Sequence, residues 1–213
     1  MKIVFATGNL HKLREASEIL GPGFELVTPA SLGIFEDVPE TSDTLEGNSL
    51  QKARYLFERT GLSCFADDTG LEVEALDGAP GVHSARYAIE VASRRGIVDP
   101  SLDHNFDANM ATLLSELDAK GPGVSRRARF RSVLTLIFKD GSHIAFEGEM
   151  KGSIAQAMTG HVGFGYDPVF IADECPHCTI AQTSEEFKNS ISHRAKALRA
   201  MAQWLEENGC GRL

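Results

Sequence analysis

Residues 128–150, ARFRSVLTLIFKDGSHIAFEGEM, constrain the fold more than any other stretch of the chain. Two runs rich in apolar and β-branched residues are joined by Asp140-Gly141, a dipeptide that accepts the positive φ of a tight turn, so the stretch predicts a β-hairpin. In the second run Ile144, Phe146 and Gly148 alternate with polar or charged residues, which predicts one dry face and one wet face.

Around this hairpin the chain alternates between strand and helix patterns. KIVFA (2–6) reads as a strand and is followed by a helical pattern with Leu10, Leu13, Ser17 and Leu20 on one face. FELV (24–27) reads as a second strand, and residues 48–59 as a helix turning Leu50, Ala53, Leu56 and Phe57 inward. SCFAD and LEVEA read as two short strands on either side of an acidic pair. Residues 76–104, rich in Gly, Pro, Ser and charge, read as a long irregular excursion closed by a helix over about 105–117. A last helix over 191–208 places Ile191, Ala195, Leu198, Ala202 and Leu205 on one face, with Gly209 set to end it. No repeat, low-complexity tract or clean linker is present, so the expectation is one mixed α/β domain spanning residues 1–213.

With 213 residues, 42% of them hydrophobic, the chain has material for a sizeable core. Its 30 acidic side chains outnumber 21 Lys and Arg, and the net charge of -9 argues against a general surface for nucleic acid or anionic membrane. Any anionic substrate must then be met by local positive charge. The apolar run near the start is too short for a signal-peptide core and no segment approaches a membrane span, which together with four scattered cysteines (Cys64, Cys175, Cys178, Cys210) predicts a cytoplasmic protein without disulfides.

The acidic pair Asp67-Asp68, in CFADDTGL, is the chemical puzzle. Adjacent carboxylates repel unless a cation lies beside them, and the hard cation that suits oxygen ligands is magnesium or a similar ion. A solvated Asp-Asp-Thr-Gly turn accounts for the same letters. The apolar residues in front favour a carboxylate at a strand's end, rigid and desolvated enough to take a proton from water.

Other stretches carry compatible chemistry, each beside a plainer account. Thr7-Gly8-Asn9 between a strand and a helix presents backbone N–H groups and a helix dipole to a phosphate, with Lys12 one turn along; an ordinary helix cap explains the tripeptide equally well. In VPETSDTLEGNSLQK, capping by Asp43 with Glu46 or Asn48 with Gln51 explains part of the charge, and Glu40 is the freer candidate metal ligand. HVGFGYDPVF suits a flat ligand held against aromatic rings, or a Gly-rich turn over a core. Lys188, His193 and Arg194 are either a solvated basic face or the local charge that holds phosphates. CPHC (175–178) resembles half of a zinc site, but no second pair is suitably spaced, so it reads as a loop without metal.

Taken in order, TGNLHK, ADDTGL, GAPGVHSARY, GFGYDPVF and SISHRAKAL closely resemble the inosine triphosphate pyrophosphatase family across nearly the whole chain. The resemblance implies an elongated two-lobed α/β fold with a central mixed β-sheet flanked by helices, an active-site cleft between the lobes, a homodimer, Mg2+, and hydrolysis of nonstandard purine nucleoside triphosphates (ITP, dITP, XTP) to the monophosphate and pyrophosphate. It assigns Asp68 as general base and metal ligand and Glu40 as a second metal contact, with Asp67 helping the ion or orienting its neighbour. It gives the triphosphate to Thr7, Gly8, Asn9, Leu10, His11 and Lys12, substrate contacts to Lys52 and Thr69, the base to Phe164, Gly165, Tyr166 and Asp167, and further phosphate and base contacts to Lys188, His193 and Arg194. Thr69 stands where the family often has Ser, and the stretch after Tyr87 is longer than usual. A related pyrophosphatase family for pyrimidine or modified nucleotides opens with a Ser-Pro-Arg-Arg type loop that TGNLHK does not match. A nucleotide-binding sensor without turnover is the alternative from another class.

Overall fold

The computed structural model describes residues 2–36, 38, 40–160, 163–208 and 213. A mixed sheet is built from β1 (Lys2–Phe5), β2 (Glu25–Val27), β3 (Cys64–Val73), β4 (Pro80–Gly81), β5 (Arg127–Ile137), β6 (His143–Ile154) and β7 (Phe170–Ala172), in the order β2-β1-β3-β5-β6-β7 with β4 on β3. β1 runs parallel to β2 and β3, whereas β4 and β7 pair antiparallel with β3 and β6. The helices are α1 (Leu10–Leu20), α2 (Leu45–Thr60), α3 (Tyr87–Arg94), α4 (Phe106–Ala119), α5 (Glu185–Ile191) and α6 (His193–Asn208).

The chain forms two compact units: residues 1–68, 132–149 and 192–213, and residues 69–131 and 150–191. In the first unit strand alternation sorts the sheet residues into two cores. Ile3, Phe5, Phe65, Leu134 and Leu136 pack with Ala16 and Leu20 of α1 and with Leu198, Met201 and Leu205 of α6. Val4, Cys64, Ala66 and Ile137, one residue out of phase, pack with Ala53 and Leu56 of α2. Phe5 and Phe65 stack with centroids 4.3 Å apart. The second unit has one core, in which Leu71, Val73, Phe130, Met150 and Phe170 of the sheet meet Tyr87 and Val91 of α3 and Met110, Leu113 and Leu117 of α4.

The hairpin forms as expected, with Gly141 at φ 79° and the dry face of β6 carrying Phe146, Gly148 and Met150. Gly148 has a further reason to lack a side chain: a Cβ there would lie 2.6 Å from the Ala197 backbone nitrogen, so its absence lets α6 settle on β6.

Five expectations need correction. The two short strands around the acidic pair are one strand, β3, and Asp67 and Asp68 lie inside it; Asp disfavours strands because of its charge and local hydrogen bonding, but here both carboxylates find cations. The stretch 76–104 is not wholly irregular, since it holds β4 and α3, whose Tyr87, Ala88, Val91 and Ala92 are buried at helical spacing. The last helix is broken: α5 ends at Ile191, and the Ser192 hydroxyl accepts the Ala195 N–H at 3.1 Å, starting α6. Leu10 is 76% exposed and leaves the predicted face of α1, whereas Leu20 is buried and Leu13 packs against the core as expected, joined by Ala16. Cys175 and Cys178 form a disulfide, against the expectation of none. The predicted helix end at Gly209 lies outside the described residues.

Candidate active site

In the first unit β3 sends Asp67 and Asp68 to opposite faces of the sheet, as successive strand residues must. Asp67 joins the face of Phe65, under α1 and α6; Asp68 joins that of Ala66, against α2. Asp67 is 3% exposed and Asp68 7%.

Asp67 is surrounded by donors. Lys12 Nζ lies 2.9 Å from its Oδ2, Arg194 Nε donates to the same oxygen at 2.9 Å, and Ser132 Oγ donates to Oδ1. Burial works against the Asp67 charge, but Lys12, Arg194 and Ser132 overcome it and hold the carboxyl well below the usual range. Burial pushes the Lys12 ammonium down, with Asp67 opposing and Arg194 assisting. Burial likewise disfavours the Arg194 charge, and Asp67 and Glu15 outweigh it, keeping the guanidinium above its ordinary value. Arg194 NH1 also donates to Glu15 of α1, which accepts the Ser192 hydroxyl at 3.1 Å.

Asp68 has a different setting. Lys52 Nζ of α2 donates to Asp68 Oδ1 at 2.6 Å and to Glu40 Oε1 at 2.7 Å, so two carboxylates converge on one ammonium. Burial raises the Asp68 pKa, Lys52 pulls it back, and Glu40 adds to the rise; the net direction is up. Burial disfavours the Lys52 charge, but Asp68 and Glu40 together raise its pKa. Thr44, not Asp43 or Asn48, caps α2, its hydroxyl accepting the Gly47 N–H at 3.1 Å. Asn48 and Gln51 instead accept N–H bonds from Ser42 and Thr41 at 2.9 and 3.0 Å, fastening the segment that carries Glu40.

The phosphate-loop candidates are organised by capping. Asn9 Oδ1 accepts the His11 and Lys12 N–H groups at 2.9 and 3.2 Å, and Thr7 Oγ1 accepts the Asn9 N–H at 3.0 Å. The plainer account of Thr7-Gly8-Asn9 therefore describes their side chains, while the turn brings Lys12 to Asp67. Leu10 and His11 are exposed, and His193, the first residue of α6, is buried.

The second unit holds Thr69, which follows Asp68 along β3, and a separate cluster. Asp167 Oδ2 accepts the Phe164 N–H at 2.8 Å and Lys188 Nζ at 2.6 Å, so one carboxylate joins the Gly-rich turn to α5. Phe164 is 39% exposed and meets Phe106 of α4 edge-on, with centroids 4.5 Å apart. Tyr166 belongs to the core, its hydroxyl donating to the Ser84 carbonyl at 2.8 Å.

Glu15, Ser132 and Phe106 were missed in the sequence. Glu15 stands one helical turn from Lys12, and Ser132 is a small polar residue between Arg131 and the apolar run that opens at Val133, which are the signals available for those two. Among the described residues no group of three or more His, Cys, Asp or Glu side chains gathers into a metal cage. The two carboxylates that meet at Lys52 nevertheless fit magnesium, which takes one or two carboxylates and completes its shell with waters and substrate phosphates.

Comparison with known proteins places this architecture in company. The model of the Ham1 family matches residues 3–204. A Porphyromonas gingivalis protein named dITP/XTP pyrophosphatase is 49% identical over 204 residues, covering 96% of this chain and 97% of its own. A Flavobacterium psychrophilum protein of the same name is 42% identical over 206 residues, covering 97% of this chain and 100% of its own. The solved structure of the Staphylococcus aureus Ham1 protein superimposes with a TM-score of 0.83 at 33% identity, covering 98% of this chain and 100% of that one.

Proposed function

Because the chain belongs to the Ham1 family, we propose that it is a hydrolase that cleaves nonstandard purine nucleoside triphosphates (ITP, dITP and XTP) between the α and β phosphates, releasing the monophosphate and pyrophosphate. The relatives' names support the substrate class. The observation that carries the chemistry is the convergence of Asp68 and Glu40 on buried Lys52.

In this reading Asp68 is the general base. Lys52 engages its Oδ1, which fixes the carboxylate and leaves Oδ2 to accept the proton of the attacking water. Glu40 and Asp68 would hold Mg2+, which when bound supplies positive charge against the phosphate oxygens and acidifies water. Lys12 and the turn from Thr7 bind the triphosphate, with Lys52 and Thr69 as further contacts, and catalysis rests on positioning and electrostatics rather than on a covalent intermediate. Asp67 does not serve the ion: its oxygens are taken by Lys12, Arg194 and Ser132, and it positions those cations. Arg194 and His193 support the phosphate contacts from the start of α6, and Phe164, Gly165, Tyr166 and Asp167, with Lys188, frame the base.

The same reading takes the protein as a homodimer of the cytoplasm that acts on free nucleotides, both units serving one domain. Among the described residues no helix is long and apolar enough to cross a membrane.

Side-by-side hydrolysis of ITP, XTP, ATP, GTP and dTTP with magnesium tests the proposal. Fast release of monophosphate and pyrophosphate from ITP and XTP is expected. Binding without turnover would favour a sensor, and preference for dTTP would overturn the assignment of the base contacts.

A further inference from the structure

Cys-Pro-His-Cys is left unused by the hydrolytic reading. It forms a turn of the second unit between β7 and a short helical turn at Ile180–Gln182, and its sulfurs are bonded to each other. Both cysteines are half-buried, and Pro176 and His177 between them are exposed, so the turn that carries the bond lies at the surface.

The ends of this turn are secured independently of the sulfurs. Ala172 is fully buried and pairs with Gly152 in the sheet. Thr179, 3% exposed, donates its hydroxyl to the Thr159 carbonyl at 2.7 Å and its N–H to Gln182 Oε1 at 3.0 Å. Within the turn the Cys175 N–H reaches the Ala172 carbonyl at 3.0 Å and the Cys178 N–H reaches the Cys175 carbonyl at 3.4 Å. Opening the bond therefore frees a surface turn without uncovering the core. A covalent loop this short removes little chain entropy, and exposed disulfides are the labile ones. Cys64 marks the contrast: it is fully buried, and desolvation pushes its thiol up to about 12.

We propose that Cys175 and Cys178 are a reversible thiol–disulfide exchange site for low-molecular-weight thiols and disulfides. In the closing direction one cysteine thiolate attacks a sulfur of the small disulfide, forming a mixed disulfide and displacing one small thiolate. The second cysteine thiolate then attacks the protein-bound sulfur, closing the ring and displacing the other small thiolate. Two electrons pass from the protein to the small disulfide, and the two displaced thiolates take up the protons the cysteines gave up. Excess small thiol reverses the steps.

The test equilibrates the full-length protein, without denaturant, against graded mixtures of reduced and oxidised glutathione, traps thiols with iodoacetamide and maps the modified peptides. We expect the 175–178 peptide to pass from two adducts to none in one step while Cys64 stays unmodified. The Cys178→Ser variant should retain a glutathione on Cys175 that the unaltered protein expels. Two adducts at every ratio would overturn the proposal, as would a bond that excess dithiothreitol opens only after unfolding. Neither result depends on which nucleotide the protein cleaves.

Discussion

Asp67 and Asp68 are the same residue type, adjacent in one strand and both buried, yet they answer to different surroundings. Asp67 faces α1 and α6, where Lys12, Arg194 and Ser132 keep it ionised. Asp68 faces α2, where a second carboxylate shares the Lys52 ammonium and its pKa rises. A strand's two-residue period is enough to make one carboxylate a fastening and the other a proton acceptor.

The largest way to break this contrast is Asp68→Asn. It should lower kcat for ITP by about 10²–10⁴-fold, the usual worth of a general base, while the denaturation midpoint at neutral pH falls less than in Asp67→Asn, because Lys52 keeps its contact with Glu40. Near-normal turnover in the folded variant would end the assignment. Asp67→Asn should lower stability more, by about 3–5 kcal/mol in urea titration, since it removes the buried anion that Lys12 and Arg194 share. Equal stability losses in the two variants would erase the distinction.

Acidification sharpens the same contrast. The folded Asp67 pKa lies below its unfolded value, so its contribution is fully present above the unfolded pKa of about 3.9 and is lost as pH falls through the folded pKa. Below about pH 4 the unaltered protein should therefore lose stability more steeply than Asp67→Asn, as read by melting temperature against pH. Phe106→Ala, in the other unit, should raise KM for ITP about 2–10-fold, the worth of one aromatic pair, with kcat unchanged; an unchanged KM would separate Phe106 from substrate binding. The smallest effect expected is at Cys64, which should resist alkylation in the native protein at pH 8 because it is buried and its thiol is pushed up to about 12.

What the sequence disclosed follows from the range of the interactions. The hairpin at Asp140-Gly141, the first strand and the helix at Phe106 rest on neighbours in the chain and were legible. Glu40 was readable as a charge outside the capping pattern and Asp68 as half of an acidic pair, whereas Lys52 entered only through the family resemblance. Placing Asp67 and Asp68 inside a strand was not legible, because the groups that offset the Asp67 charge stand 65 positions away at Ser132 and 127 away at Arg194. Turn chemistry at Asp-Asp-Thr-Gly is a local preference, and these distant partners override it. Ser192 shows the reverse: its capping role was locally readable, but the apolar period running from Ile191 to Leu205 masked it.

Carbon-13 NMR titration of the Asp67 and Asp68 side-chain carboxyls in the metal-free protein tests the central contrast most directly. The account predicts that Asp68 titrates above the ordinary aspartate value and that Asp67 stays ionised well below it. Two carboxyls titrating together near the ordinary value, or in the opposite order, would contradict it.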